Sequence, residues 1–579
     1  MKHIRKIVSY VSVASMMMMA TSCEGLLNMS PESTLSPSTY FENAAELQLW
    51  TNQFYSQLGD AESYAATNAD DNVDSSLGEL MMGQRSPASE DGWTWGMLRK
   101  INYYLQHSSN CQDVSARNQY DGVAYFMRAY FYFKKVQRYG DVPWYTQVLN
   151  SDSDDLLFAP RTDRGIVIDN ILADLKKASD EMLPESHDVV RVTKWTALAL
   201  ASRIALYEGT FRKYHGMPDA DKYLKIAAET AKEFISNSGY TIYKVGNTPY
   251  RDLFNSKDAI SEEVILTKKY STTANVMHGV PFNIINNKQG FTKRFMNHYL
   301  MRDGSFYSAQ EGYDTKTFVD EVKNRDPRLE QTVLTPGYKQ LGDSKETVNK
   351  LVSSTGYQPI KYVAESKYDG SNKAFTDYPL FRTAEVYLNY AEALAELGTL
   401  TDEDLEMSVN KLRDRVGMKD LKVSDANAHI DPLLASYYPN VSDGKNKGII
   451  LEIRRERTIE LAMEGFRIWD LLRWKEGAQL EKPFYGCYFP AEGQYDMNGD
   501  GKKDILLYST DKGGWSGTAF KLGKDVTLTN GTSGYINAFP TDITWDEKRD
   551  YLWPIPASER VLTGGKLTQN PGWEDGLSY

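Results

Sequence analysis

The feature that most restricts the fold of this chain is a series of stretches in which apolar side chains recur every three or four positions. That period is typical of an α-helix with one buried face. Several of the stretches end at a glycine or a proline, residues that commonly terminate helices. The predicted helices span residues 41–58, 123–139, 166–182, 194–209, 223–236, 381–397, 401–416 and 448–474.

The helices are predicted to pack in pairs. Alanine is frequent in 194–209, and small side chains let two helices approach closely. We therefore predict a mostly α fold with a tetratricopeptide-like helical-repeat core over about 41–239 and 379–475. No regular repeat of ~34 residues can be aligned, so the repeats are degenerate.

Two segments, about 240–378 and 482–550, lack the helical period. They hold many Gly, Asn and Ser residues and short β-like pieces such as Val264-Ile265-Leu266. Long inserted loops often carry binding function. We predict loop-rich insertions that form an irregular ligand-binding face with few short β-strands, within a single domain over residues 41–579.

The N-terminus predicts export and attachment to a membrane. Lys2, Arg5 and Lys6 precede a mostly apolar stretch over 7–20, which is too short to span a membrane and fits a secretory signal. Small residues then lead into Cys23, as in a bacterial lipobox, in which the cysteine is acylated. We predict a lipoprotein signal peptide over 1–22 and a lipidated tether, rich in Ser, Thr and Pro, over 23–40.

Composition argues against several functions. The net charge of −12 argues against a nucleic-acid partner. The seven histidines include no HxxxH pair, and GxSxG, a Walker loop and a GxGxxG after a strand are missing from the sequence. Besides Cys23, only Cys111 and Cys487 occur. They could form one disulfide, but we expect two buried free thiols.

Five groups of residues, in chain order, carry a resemblance to a known family. They are RAYFYF (128–133) with RYGDVP (138–143), RDPRL (325–329), FRTAEVYLNYAEA (381–393), RRER to DLLRW (454–474), and LWPIP (552–556) followed by QNPG (569–572). Together with the lipobox, they resemble the SusD/RagB family of outer-membrane lipoproteins. The resemblance covers essentially the whole chain.

The resemblance implies a tetratricopeptide-like core with a more irregular ligand face and no catalysis. It also implies a lipid-anchored location at the outer membrane, facing the cell exterior. The implied partner is a TonB-dependent, SusC-like outer-membrane transporter, over which the lipoprotein sits as a lid. Ligands in this family are mostly glycans and sometimes peptides.

Candidate ligand-binding residues are aromatic side chains in turn-rich sequence. Trp93 and Trp95 stand among glycines and, being two apart, share a face of an extended segment. Indole rings can stack on the apolar faces of sugars, while polar neighbours take the hydroxyls. Just upstream, Tyr64, Asn68 and Asp71 complete the predicted site. The alternative is that the tryptophans simply plug the helix that follows them.

The segment DMNGDGKKD (496–504) predicts a calcium loop. Asp496, Asn498, Asp500 and Asp504 supply oxygens at loop positions 1, 3, 5 and 9, glycine stands at position 6, and Lys502 offers its backbone carbonyl at position 7. The glutamate usual at position 12 is missing. The prediction is a structural Ca²⁺ ion, and the alternative is a metal-free hairpin.

Arginines and glutamates alternate over 454–467 on a predicted helix that must bury at least one face, which predicts buried ion pairs with a structural role. The resemblance and the lipobox together imply the function, a non-catalytic surface lipoprotein that binds an oligo- or polysaccharide and delivers it to the transporter. One alternative is a lipoprotein of the same architecture that captures peptides or glycopeptides. Others are a lipid-anchored glycoside hydrolase, which needs two carboxylates ~5–9.5 Å apart in a cleft, and a protein-binding scaffold.

Overall fold

The computed structural model describes residues 40–65, 69–89, 92–150, 152–183, 186–540 and 542–575. The predicted signal peptide, Cys23 and the predicted tether up to residue 39 lie outside the described residues. The described chain is mostly helical and its strands are short, which confirms the predicted fold class.

The helices and strands are labelled here in chain order. The helices are α1 (Ala44–Asn52), α2 (Ala61–Ala65), α3 (Gly96–His107), α4 (Val114–Tyr139), α5 (Asp154–Leu157), α6 (Arg164–Glu181), α7 (Lys194–His215), α8 (Ala220–Asn237), α9 (Pro249–Asn255), α10 (Val280–Asn286), α11 (Lys293–His298), α12 (Phe318–Glu321), α13 (Pro327–Glu330), α14 (Thr383–Leu397), α15 (Asp402–Glu406), α16 (Val409–Arg415), α17 (Val423–Ala428), α18 (Pro432–Tyr437), α19 (Lys447–Glu460), α20 (Arg467–Arg473) and α21 (Ala557–Leu562). The strands are β1 (Asn72–Val73), β2 (Val264–Lys268), β3 (Gly290–Phe291), β4 (Tyr378–Arg382), β5 (Tyr485–Phe489), β6 (Gly493–Tyr495), β7 (Ile505–Tyr508), β8 (Thr518–Lys521) and β9 (Gly534–Asn537).

The long helices form the repeat core. α4 packs on α6, α6 on α7, α7 on α8, α8 on α14, and α14 on α19. α7 and α8 approach closely, since a Cβ added to Gly209 would lie 2.8 Å from Cγ of Leu224. Ala227 and Ala231 of α8 are fully buried. Small side chains thus allow the helix pairing that the sequence predicts.

The ends of these helices follow from local residues. The carboxylate of Asp113 precedes α4 and accepts a hydrogen bond from the amide of Ala116 at 3.0 Å, which satisfies one of the free amides of the first turn. Gly140 and Gly398 follow α4 and α14 with φ of +71° and +74°. Glycine adopts this conformation without the steric cost of a Cβ, so it ends both helices.

Two predicted helices are interrupted or begin later than expected. Residues 401–416 form two short helices, α15 and α16, instead of one. The prediction for 381–397 begins too early, because Phe381 and Arg382 belong to β4, which pairs antiparallel with β2. The extended backbone there places the Arg382 guanidinium 2.9 Å from Glu263.

The prediction of one continuous helix over 448–474 is also wrong. α19 ends at Glu460 and α20 begins at Arg467, and between them Met463 and Gly465 have φ of +58° and +79°. This turn brings Glu464 within 2.7 Å of Arg382. A continuous helix would forgo that turn, and the buried Arg382 would lose one of its partners.

The irregular segments pack around a second apolar core. Its members include Phe291, Phe295, Tyr357, Cys487 and Ile536, all buried. Four small sheets frame it. They pair β1 with β3, β2 with β4, β5 with β9, and β7 with both β6 and β8. The segments without a helical period therefore consist of short elements that pack around an apolar core of their own.

Charged side chains of 454–467 are buried, as predicted. Arg328 contacts Glu456 at 2.9 Å with both side chains fully buried, and Arg455 contacts Asp431 at 2.7 Å. Charges removed from water need such partners, so these residues stabilise the fold.

Cys111 and Cys487 are also fully buried, and both are free thiols, as expected.

Candidate functional site

The two candidate tryptophans lie in the turn that precedes α3. Their rings meet edge to face, with centroids 5.5 Å apart and planes at 82°. Trp93 is only 5% exposed and packs edge to face on Tyr139 at 4.8 Å, so it serves largely as a core side chain. Trp95 is half-buried and contacts Phe131 and Tyr145 at 5.7 and 5.8 Å.

A cavity of about 350 Å³ opens beside these rings. This volume falls in the range of small-molecule sites, ~300–1,000 Å³. Its wall combines aromatic, aliphatic and polar side chains from three segments, 93–102, 143–157 and 559–567. The main ones are Trp93, Trp95, Leu98, Arg99, Asn102, Tyr145, Gln147, Leu149, Leu157, Glu559, Thr563 and Leu567.

Buried polar groups fix the walls of this cavity. Lys135 donates to the carbonyl oxygens of Gly92 and, at 2.8 Å, of Thr94, and its ammonium group lies 5.1 Å from the Trp95 ring centroid. The side-chain amide of Asn102 donates to the carbonyl oxygen of Tyr145 at 3.0 Å. These bonds hold the Trp95 turn and the Tyr145 segment in place, so the cavity is pre-formed.

Tyr64 and Asp71 lie apart from the tryptophan cavity. Tyr64 is in hydrogen-bond contact with the hydroxyl of Tyr130 at 2.9 Å and stacks on Tyr378 at 5.9 Å. It borders a different cavity of only about 60 Å³, too small for a sugar ring. Asp71 is buried, and Asn68 lies outside the described residues. The five predicted ligand residues are therefore not brought together in the described structure.

Asp71 and its neighbour Asp70 have opposite electrostatic environments. Burial raises the pKa of Asp71 to about 7, and the charge of Asp70 adds to that rise. Burial also opposes ionisation of Asp70, but the guanidinium of Arg467, 2.5 Å away, lowers the pKa of Asp70 to about 2. The Oδ1 atom of Asp71 is buried and has no hydrogen-bond partner among the described residues. This pair is a structural feature with a pH dependence.

The predicted calcium loop lies between β6 and β7. The carboxylate of Asp496 accepts amide hydrogen bonds from Asn498, Gly499 and Gly501 at 3.1, 2.6 and 2.7 Å, and that of Asp504 accepts one from Met497 at 2.7 Å. Along the described ranges, no three His, Cys, Asp or Glu side chains converge as metal ligands. The carboxylates of Asp496 and Asp504 are thus bonded to backbone amides of the loop itself.

Several cavity residues escaped the sequence analysis. Tyr145 stands two residues after the RYGDVP segment and could have been noticed as an aromatic residue after a turn. Glu559 of α21 and Thr563, directly after that helix, reach the cavity from the far end of the chain. No local pattern in a single sequence links residues so far apart.

Two family models together span most of the chain. One described as the SusD family matches residues 262–573, and one described as starch-binding, associating with the outer membrane, matches residues 25–206. A SusD-like protein of Formosa agariphila is 23% identical over 94% of this chain and 96% of its own length. In the described part of the chain, no helix has both the length and the apolar character to cross a membrane.

Solved structures share the fold. A SusD-like protein from Bacteroides fragilis aligns with a TM-score of 0.68 and 23% identity, covering 94% of this chain and all of the other. A SusD-like carbohydrate-binding protein from the same organism aligns with a TM-score of 0.68 and 19% identity, covering 90% of this chain and 98% of the other. These alignments confirm the predicted architecture, a tetratricopeptide-like helical core with few short strands.

Proposed function

This chain belongs to the SusD family, and we propose that it is a non-catalytic lipoprotein of the outer membrane that binds a glycan at the cell surface. It then delivers the glycan to a TonB-dependent, SusC-like transporter. The names of the matching family models and relatives, which refer to starch and carbohydrate binding, support this proposal.

The observation that carries the proposal is the cavity beside Trp95. Its aromatic wall, Trp95 and Tyr145, offers ring faces to the apolar C–H surface of a sugar. Arg99, Gln147 and Glu559 supply hydrogen-bonding groups around it. A volume of about 350 Å³ has room for one or two sugar rings.

The make-up of the cavity also favours binding over hydrolysis. A glycosidase needs two carboxylates ~5–9.5 Å apart across the scissile bond. Among the described residues that line this cavity, Glu559 is the one carboxylate. The large set of buried carboxylates in α19, such as Glu456 and Glu460, is paired with arginines and fully buried.

The first test is a binding screen of the chain without residues 1–23 against immobilised and soluble polysaccharides, by affinity electrophoresis and calorimetry. We expect one class of glycan to bind, without release of reducing ends. Trp95→Ala should weaken that binding about tenfold, because an aromatic contact is worth ~0.5–1.5 kcal/mol beyond its buried area.

The matched control is Trp50→Ala. Trp50 is another half-buried tryptophan, stacked on Tyr103 at 5.4 Å, and it does not line the cavity. Equal losses in both variants would refute the assignment of the site to the cavity. Retention of peptides in place of glycans would favour the alternative ligand class, and turnover of any polysaccharide would refute the non-catalytic role.

The anchor and the transporter are supported by the sequence around Cys23 and by the family. Metabolic labelling with a radiolabelled fatty acid tests the anchor, since Cys23→Ala should abolish the label. Co-purification of the wild-type lipoprotein with a transporter from solubilised outer membranes tests the partner.

We also propose a calcium ion in the loop 496–504. Its ligands are Asp496, Asn498, Asp500, Asp504 and the carbonyl of Lys502. The support is the oxygen spacing and the bend at Gly501, which has a φ of +86° at the sixth position. Binding requires the carboxylates to turn from the loop amides toward a common centre.

A further inference from the structure

One face of the sheet formed by β5 and β9 carries an unusual set of side chains. Tyr485 pairs with Asn537, and Tyr488 pairs with Tyr535. Three residue steps on β5 therefore oppose two on β9, which is a β-bulge. The bulge puts Tyr485 and Tyr488 on the same side of the sheet, although an odd number of steps separates them.

Burial separates the two sides of this sheet. Cys487, Phe489 and Ile536 are buried in the second apolar core. The residues on the other side are half-exposed, namely Tyr485, Tyr488, Tyr535 and Asn537. We call these four residues the tyrosine face.

The rings of the tyrosine face are held in a fixed arrangement. Tyr485 stacks on Tyr535 with ring centroids 5.3 Å apart and planes at 12°, and Tyr488 meets Tyr535 at 5.5 Å and 69°. The Tyr535 hydroxyl donates to the backbone carbonyl of Asp314. This hydrogen bond holds the central ring, that of Tyr535, in place. The Tyr535 ring in turn orients the rings of Tyr485 and Tyr488 that pack against it.

Two hydroxyl groups of the tyrosine face remain open to a ligand. The hydroxyls of Tyr485 and Tyr488 make no hydrogen bond within the described ranges of the chain. Asn537 has a buried side-chain oxygen with no hydrogen-bond partner there either. A buried acceptor without a partner is costly, and this oxygen becomes available to a ligand donor only when the Asn537 side chain turns outward.

We propose that the tyrosine face is a second carbohydrate-binding site, which takes about one pyranose ring of a glycan. Ring faces with hydroxyl and amide groups at their edges match the alternating apolar and polar surface of a sugar. Three rings are too small an area for a stable protein interface, which needs ~800 Å² per partner. This proposal depends on the proposed function only for the class of ligand. The location of the site is independent of it, because no residue of the tyrosine face lines the tryptophan cavity.

The test is protection of tyrosines from nitration by tetranitromethane, mapped by mass spectrometry, on the chain without residues 1–23. The probes are maltoheptaose, cellohexaose, xylohexaose and mannohexaose. A bound probe should slow nitration of Tyr485 and Tyr488 several-fold. Tyr508, a half-buried tyrosine at the end of β7, serves as the internal control and should react at an unchanged rate.

Two variants separate this site from the tryptophan cavity. In Trp95→Ala the protection of Tyr485 and Tyr488 should persist. The double variant Tyr485→Ala/Tyr488→Ala should weaken probe binding about tenfold, while Tyr485→Phe/Tyr488→Phe, which keeps the rings, should lose less.

Each outcome decides a different claim. Loss of protection in Trp95→Ala would show that the two surfaces are one site and overturn the proposal, as would a lack of protection by all four probes. Protection that persists while Trp95→Ala leaves affinity unchanged would uphold the tyrosine face and refute the tryptophan cavity as the glycan site.

Discussion

One guanidinium nitrogen of Arg415 lies 2.6 Å from each carboxylate oxygen of Glu460, and both side chains are completely buried. Arg382 and Arg328 contact the same carboxylate at 2.8 and 3.3 Å. Burial opposes ionisation of Glu460, but the three guanidinium groups hold its pKa well below the usual range. The carboxylate therefore stays charged and joins α13, α16, α19 and β4.

Glu460→Gln should destabilise the protein by about 3–5 kcal/mol, because three buried arginines lose a shared counter-charge. Urea unfolding of the chain without residues 1–23 measures this loss. The control is Asp180→Asn, which breaks the exposed Lys176–Asp180 pair and should cause no measurable change. Equal free energies of unfolding for Glu460→Gln and wild type would contradict a stabilising role for the cluster.

The helical core could be predicted from the sequence because its signals are local. The apolar period and the terminal glycines define helices such as α4 and α14. The wrong predictions occur where a tertiary contact overrides the local pattern. The turn at Gly465 exists because Glu464 must reach Arg382, a partner far away in the chain. In the sequence, Gly465 is the local residue that indicates an interruption of the helix.

The candidate site was less predictable. Trp93 and Trp95 stood out as aromatic residues among glycines, and both line a cavity. Sequence spacing could not show that Asp71 is buried or that Tyr64 borders another cavity. Nor could it show the bulge that aligns Tyr485 with Tyr488, because that depends on pairing with a strand from a distant segment.

Asp71→Asn should stabilise the protein at neutral pH and leave it unchanged in acid. The pKa of Asp71 is raised from 3.8 to about 7 in the folded state, first by burial and then by Asp70. The folded state therefore binds a proton more tightly than the unfolded state, and wild-type stability falls as the pH rises between these two values. The advantage of the variant should grow by about 1.4 kcal/mol per pH unit over that window and then level off.

Urea unfolding at pH values from 4 to 8 measures this difference. Asp343→Asn, at an exposed position, is the control and should keep the wild-type pH profile. A constant difference between Asp71→Asn and wild type across the range would mean that Asp71 does not titrate there.

Lys135→Met should lower both stability and glycan affinity. Lys135 is buried and donates to the carbonyl oxygens of Gly92 and Thr94, which hold the turn that carries Trp95. Loss of hydrogen bonds from a charged donor costs ~1.5–3 kcal/mol each, and a looser turn would present Trp95 less well. Calorimetry measures the melting temperature and the affinity for the glycan found in the screen.

The neighbouring Lys134→Met is the matched control for this variant, since Lys134 is exposed on the same helix. It should keep both properties close to wild type. If Lys135→Met loses stability but binds the glycan with unchanged affinity, Trp95 does not depend on this turn for its role.

Calcium should raise the melting temperature of the wild-type protein, provided that the ion binds the folded loop 496–504 and not the unfolded chain. Extracellular calcium loops bind with dissociation constants of ~0.1–1 mM, so about 10 mM Ca²⁺ should add roughly 1–3 kcal/mol. Asp496→Ala removes the first ligand and should abolish the shift, as should excess chelator. Asp511→Asn, an exposed acid in the loop after β7, should retain it. If calcium shifts Asp496→Ala as much as wild type, the ion acts elsewhere on this acidic protein, and the amide-bonded hairpin is the native form of the loop.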